Sequence, residues 1–165
     1  EIEGTGVFPK GMLTDCAVSW QVENRYANDV TLIHMDDATS GRHPLQQGGH
    51  GHGVLFIGSE GWVHVDRQTL DAHPASLLEA KLGPNDLRLF RSDNHGANFV
   101  GAVKGRTKPA APIDVAVRTD TLCHLQLIAA TLRRKLRWDP YREQFRDDPA
   151  ANALLDRPMR APWKL

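Results

Sequence analysis

The sequence predicts an α+β fold, a largely antiparallel open sheet with helices packed on one face. Two observations lead to this class. Up to about residue 67, polar and apolar residues alternate as they do in strands, whereas from about residue 92 apolar residues recur with the helical period. Strands that precede helices in this way are typical of α+β domains. With 165 residues, the chain is expected to form a single domain over residues 1–165.

The clearest strand lies in the segment CAVSWQVENRYAN, which places Val18, Trp20 and Val22 on one face and polar residues on the other. Asn28 and Asp29 then form a plausible hairpin turn. The apolar face should not stay bare, because a large apolar patch usually marks an association surface. Further strands are predicted at residues 2–8, 30–38, 53–59 and 61–67.

Three helices are predicted, over residues 92–105, 113–135 and 148–156, with a short strand at 136–139. Ser92 or Asp93 is the expected N-cap of the first helix, and Gly105 its end. The second helix begins after Pro112. The proline-rich tail, residues 157–165, is expected to lie along the surface. The apolar stripe of the second helix consists of Leu122, Leu125, Ile128, Ala129 and Leu132.

Composition excludes several classes of partner. Lys and Arg total 20 against 20 Asp and Glu, so no net charge draws the chain to nucleic acid or to an anionic membrane. No apolar run approaches the roughly 20 residues that span a bilayer. Cys16 and Cys123 suit buried free thiols, which fits a cytoplasmic protein. Because the chain starts at Glu1 inside a strand pattern, we expect a fragment of a larger enzyme, and a preceding export signal would make it periplasmic or secreted.

The segment GRHPLQQGGHGHG places His43, His50 and His52 among glycines. Zinc needs three or four ligands in fixed directions, but this flexible segment offers no cysteine or carboxylate, so we predict no metal site. The glycines also lead into a strand and not into a helix, which argues against a dinucleotide-binding loop. The alternative is a solvated loop or one at an interface.

Two polar pairs on the predicted helices are candidates for chemistry. Asp120 and His124 are four residues apart, so a carboxylate could orient an imidazole there, although such pairs also arise by chance. Asn94 and His95, at the start of a helix, could meet a polyol or simply cap the helix.

The order of the motifs GSEGWV, RTDTLCHL and NALLDRPMRAPW resembles the C-terminal half of the Gfo/Idh/MocA oxidoreductases. The resemblance implies a two-domain enzyme in which an N-terminal Rossmann domain binds NAD or NADP. The C-terminal domain would bind a sugar or polyol and form a homo-oligomer, a dimer or a tetramer, through its open sheet face. Hydride would pass between the nicotinamide and a CH–OH carbon of the substrate.

The family's catalytic lysine, carboxylate and histidine have no counterpart in this chain, which is therefore expected to be inactive alone and to bind no cofactor or metal. Asp120 and His124 share the spacing of that carboxylate and histidine but lie on a different helix. A glycosidase of the same family that uses NAD, or a non-catalytic binding or oligomerisation module, would fit the same residues. By position in the family, the substrate-binding candidates are Arg42, His43, His50, Asn94, His95, Arg118 and His124.

Overall fold

The structure, a computed structural model, describes residues 1–157 and 159–163. Its strands form three small antiparallel sheets, with the orders β1-β2-β3, β4-β5-β6 and β7-β8. The predicted α+β class and the antiparallel pairing are confirmed. In chain order, the elements are β1 (Ile2–Val7), β2 (Ser19–Arg25), β3 (Thr31–Met35), α1 (Asp37–Ser40), β4 (Val54–Gly58), β5 (Gly61–Val65), β6 (Leu70–His73), a 3-10 helix (Ala75–Glu79), α2 (His95–Gly105), α3 (Ile113–Leu132), β7 (Trp138–Asp139), β8 (Gln144–Phe145) and α4 (Pro149–Asn152).

The chain divides into two compact units. The first unit contains residues 1–78 and the described residues from 123 onward, and it holds all three sheets. The second contains residues 79–122.

The core of the first unit lies between the sheet β1-β2-β3 and the last part of α3. Val22 of β2 is buried together with Leu125, Ile128 and Ala129 of the helix. Burying aliphatic side chains in this way is the main favourable term in folding. Gly6 of β1 leaves room for the helix, since a Cβ there would lie 3.3 Å from the Cβ of Ala130.

The end of α3 is tied to β1 by hydrogen bonds. The chain leaves the helix at Arg133, whose positive φ of 52° ends the helical turn. The Arg133 guanidinium donates to the Gly6 carbonyl at 2.7 Å. Ile2 and Leu136 then exchange two backbone hydrogen bonds of 2.9 and 2.7 Å. These contacts fix the helix against the edge strand of the sheet.

The hairpin β7-β8 and the helix α4 close the other side of this core. Phe145 is 1% exposed and meets the Trp138 ring edge to face, with ring centroids 5.2 Å apart. Asn152 of α4 holds Phe145 through both its backbone N–H (2.7 Å) and its carbonyl (2.9 Å). Asp148, the N-cap of α4, accepts hydrogen bonds from both terminal nitrogens of Arg134.

In the second unit, α2 is capped by Asn94, whose Oδ1 accepts a hydrogen bond from the Ala97 backbone at 2.8 Å. Among the residues described in this unit, only Ala102 is buried. The Asn98 side chain accepts a hydrogen bond from the Ala110 backbone, which holds the connection that follows the helix.

Several predictions need correction. The N-cap of α2 is Asn94, one or two residues later than predicted, because its side chain reaches the Ala97 amide. Cys16 and Cys123 are free thiols, as predicted, but they are exposed and not buried. Their apolar sequence neighbours do not cover them. Strands β6 and β8 and the helix α1 were not predicted.

Part of the predicted association face is covered within the chain itself. Val22 is covered by α3 of its own chain, and Val18 lies outside β2. The sheet β4-β5-β6 has an apolar face on which several side chains are exposed. Its register places these side chains on one side: Val54, Phe56, Val63, Val65, Leu70 and Ala72. We call this set the open apolar face. Among the described residues, no helix is long and apolar enough to cross a membrane.

Candidate functional site

A cleft of about 400 Å³ lies between the polar face of β2 and the segment that begins with α1. Because Val22 points into the core, the odd-numbered residues of β2 point away from it. Ser19 and Gln21 therefore line the floor of the cleft. The opposite wall consists of Ala38, Thr39, Arg42, His43 and Pro44. Two of the predicted site residues, Arg42 and His43, are thus brought together in one cleft.

Asp36 builds this cleft without lining it. Its carboxylate accepts hydrogen bonds from Ser19 Oγ (2.9 Å), the Trp20 backbone (2.9 Å), the Thr39 backbone (3.1 Å) and Thr39 Oγ1 (2.6 Å). It is the N-cap of α1 and also the link between that helix and β2. The hydrogen bond from the Thr39 hydroxyl, followed by that from the Trp20 amide, holds the pKa of the Asp36 carboxyl far below its usual range.

The turn after α1 sets the positions of Arg42 and His43. Their backbone amides donate to the carbonyls of Thr39 (3.2 Å) and Ser40 (3.0 Å). The Leu45 amide donates to His43 Nδ1 at 3.2 Å, so the neutral imidazole carries its proton on Nε2. Among the residues that the structure describes, no carboxylate lines the cleft.

The third predicted histidine, His50, lies elsewhere. Its ring stacks on that of His64 of β5, with centroids 3.9 Å apart and an angle of 6° between the planes. Its Nε2 lies 3.0 Å from a carboxylate oxygen of Asp71 in β6. That hydrogen bond lowers the pKa of Asp71. His50 therefore has its partners on the sheet β4-β5-β6 and not in the cleft.

His64 holds the same loop from below. Its Nε2–H donates to the His52 carbonyl at 2.8 Å, so the neutral ring has an unprotonated Nδ1, which is buried and has no hydrogen-bond partner. Asp66, which lies 3.9 Å from His52, is held by backbone amides of the next turn that lower its pKa. Within the described residues, no three or more His, Cys, Asp or Glu side chains are placed to hold a metal ion.

The other candidates lie on the helices. Asn94 uses its side-chain oxygen as the cap of α2, and His95 is the exposed first residue of that helix. Arg118 and His124 are exposed residues of α3. Asn94, His95 and Arg118 belong to the second unit. His124 belongs to the first unit and is not among the residues that line the cleft.

The described residues do not fit a bound dinucleotide. Every ladder between the described strands is antiparallel, whereas the dinucleotide fold needs a strand, a glycine-rich turn and a helix of a parallel βαβ unit. The glycine-rich loop ends in β4 and presents no helix N-terminus.

A comparison with protein families finds a match for the C-terminal part of the chain. Residues 85–165 match an oxidoreductase family, at its C-terminal alpha/beta domain. These residues therefore match the C-terminal domain of the Gfo/Idh/MocA oxidoreductase family. No curated protein and no solved structure matches it. The matched residues run from before α2 to the end of the chain, and the cleft lies in the part that precedes them.

Residues 85–165 thus correspond to an oxidoreductase-family C-terminal domain, which supports an enzyme as the full-length protein. Of the residues that line the cleft, the sequence analysis proposed Arg42 and His43 for substrate binding, and Ser19, Gln21 and Thr39 are not among its candidates. The sequence does contain a signal for Ser19 and Gln21, because the alternation in β2 places both on its polar face. Thr39 could have been noticed three residues after Asp36, where an N-cap side chain finds its partner.

Proposed function

We propose that this chain is the substrate-binding part of an NAD(P)-dependent oxidoreductase that acts on a CH–OH group of a sugar or polyol. The observation that carries the proposal is the cleft beside β2, whose polar lining groups are hydroxyls, an amide, a guanidinium and an imidazole. A polyol presents many donors and acceptors at short spacing, and a small number of placed polar groups can orient it. The family match supplies the reaction class.

Each lining group has a distinct use toward such a ligand. Gln21 offers both an acceptor and a donor through its amide. The Thr39 hydroxyl donates its hydrogen bond to Asp36, so its oxygen is left to accept a hydrogen bond from a substrate hydroxyl. His43, whose Nδ1 is occupied by the Leu45 amide, offers Nε2–H as a donor when neutral. The residues here bind and orient the substrate, while NAD or NADP is held by a domain outside this chain, so the chain alone is inactive.

The test uses the complete gene product with NAD and with NADP and a panel of sugars and polyols, followed through the absorbance of the reduced cofactor. Gln21→Ala is expected to raise KM for the substrate by about tenfold, with a smaller effect on kcat, because it removes ground-state binding. Gln68→Ala, in a turn outside the cleft, is the matched control and should leave KM unchanged.

If the protein turns over none of the sugars and polyols in the panel, the proposal is refuted. Equal KM values for Gln21→Ala and Gln68→Ala would also refute it. Cleavage of aryl glycosides by the same protein, without net oxidation, would favour the glycosidase alternative. If NAD(P) is neither bound nor reduced, the non-catalytic module is the better explanation.

We also propose a homo-oligomer formed through the open apolar face. Phe56 and Leu70 are both 61% exposed there, and Val54 is 47% exposed. Pairing with a second copy would remove this apolar surface from water. Light scattering should show that Phe56→Glu lowers the oligomeric state, whereas Leu87→Glu, at an exposed leucine outside this face, should not. A wild-type monomer would contradict this proposal.

For the compartment, the two free cysteines favour the cytoplasm.

A further inference from the structure

The charged side chain that lines the cleft is positive. Arg42 contributes a permanent positive charge, and none of the described residues that line the cleft is acidic. A site for a neutral polyol needs no such excess of charge. The question is whether carboxylates just outside the lining neutralise it.

Among the nearest carboxylates in sequence, those of Asp36 and Glu23 accept hydrogen bonds from other groups. Asp36 uses its two oxygens on four donors from β2 and α1. Asp37 faces the glycine-rich loop, since its Oδ1 lies 3.1 Å from the position of a Cβ on Gly51. Glu23, on the same face of β2 as Gln21, accepts a hydrogen bond from Arg25 Nε at 2.5 Å. In the part of the chain that the structure describes, Arg42 forms no ion pair.

We propose that the cleft binds an anionic sugar, with the carboxylate or phosphate group of the ligand on the Arg42 guanidinium and its hydroxyls on Ser19, Gln21 and Thr39. The guanidinium presents its N–H donors in a fork that matches a carboxylate or a phosphate in a bidentate manner. The His43 Nε2–H can donate to the same anionic group. This inference rests on the proposed function, because it names the class of substrate that would occupy the same cleft.

The test measures binding to the 165-residue chain by titration calorimetry with D-glucuronate, D-glucose 6-phosphate, D-glucose and inorganic sulfate. Glucuronate differs from glucose only in the carboxylate that replaces a CH2OH group, so the pair isolates the charge. We expect at least one anionic sugar to bind about tenfold or more tightly than glucose, which is the range of one hydrogen bond to a charged group. Which of the two binds more tightly decides between the carboxylate and the phosphate.

Arg42→Gln should abolish the preference for the anionic sugar over glucose, whereas Arg42→Lys, which keeps the charge without the fork, should reduce that preference only partly. Arg67→Gln is the matched control, since it makes the same change of net charge at an exposed arginine outside the cleft. Equal affinities for glucose and both anionic sugars would overturn the inference, as would equal losses in Arg42→Gln and Arg67→Gln.

Two further outcomes also overturn it. Sulfate that binds as tightly as the better sugar would show an anion site without sugar recognition, and a failure of all four ligands to bind would show no site. These outcomes are separate from failure of the proposed function, which is judged by turnover: an enzyme that oxidises neutral polyols, with a cleft that does not prefer anions, keeps the function and loses this inference.

Discussion

Replacing Phe145 by alanine tests where the core of the first unit lies. The side chain is 1% exposed, so nearly all of its apolar surface would be lost from the core. Its ring also contacts the Trp138 ring, 5.2 Å away between centroids, and that contact would disappear. Phe→Ala changes in a packed core cost about 3–5 kcal/mol. For a chain of this size, such a loss corresponds to a fall in Tm of roughly 10 °C.

Thermal unfolding followed by circular dichroism provides the measurement. The matched control is Phe90→Ala, because Phe90 is 62% exposed and its truncation should change the free energy of unfolding by less than about 1 kcal/mol. If the two variants unfold at the same temperature, Phe145 is not a core residue. The hairpin β7-β8 and α4 would then not pack against the sheet β1-β2-β3 as the structure shows.

Two other predictions concern pH and backbone strain. Hydrogen bonds, first from Arg134 and then from the Ala151 amide, lower the pKa of Asp148 from 3.8 to about 2. The stabilisation from these hydrogen bonds is therefore complete above the unfolded-state pKa and is lost as the pH falls toward 2. In Asp148→Asn, the free energy of unfolding measured by urea titration should fall less steeply with decreasing pH than in the wild type. Gly61→Ala should destabilise by more than about 1 kcal/mol, because φ is 145° and the new Cβ would lie 2.0 Å from a carbonyl oxygen in β6. Gly101→Ala, in α2 with open space around it, should instead stabilise the protein by about 0.5–1 kcal/mol. If Gly61→Ala proves more stable than Gly101→Ala, the argument from backbone strain is wrong. If Asp148→Asn loses as much stability at low pH as the wild type, the argument from the Asp148 pKa is wrong.

The elements that could be predicted from the sequence are those that bury one side. Strand β2 shows a clear alternation because Val22 faces α3 while Ser19 and Gln21 face away. In α3, Leu125, Ile128 and Ala129 keep the helical period because they meet the sheet. A pattern of this kind records burial, and burial against a neighbouring element is what the structure confirms.

The elements that escaped prediction are short or are fixed by polar contacts. Strand β6 has only four residues, and its Asp71 faces the loop that carries His50, so the strand does not show a clean apolar face. Helix α1 also has four residues and depends on one cap, Asp36. Cys123 shows the complementary error. Its neighbours in sequence are apolar, but it lies two positions before Leu125, on another side of the helix.

The cleft combines both cases, since one wall follows from the core and the other from a single carboxylate. The period of a strand is two, so burial of Val22 forces Ser19 and Gln21 outward, and a slip of the register by one residue would exchange the core and the cleft. Asp36 then fixes the opposite wall by joining the Trp20 and Thr39 amides, which are 19 residues apart in the chain. The resemblance to the family proposed Arg42 and His43 as substrate-binding residues, but it could not show that they face Ser19 and Gln21. That arrangement depends on hydrogen bonds between distant residues, in which the two oxygens of Asp36 accept from four donors of β2 and α1.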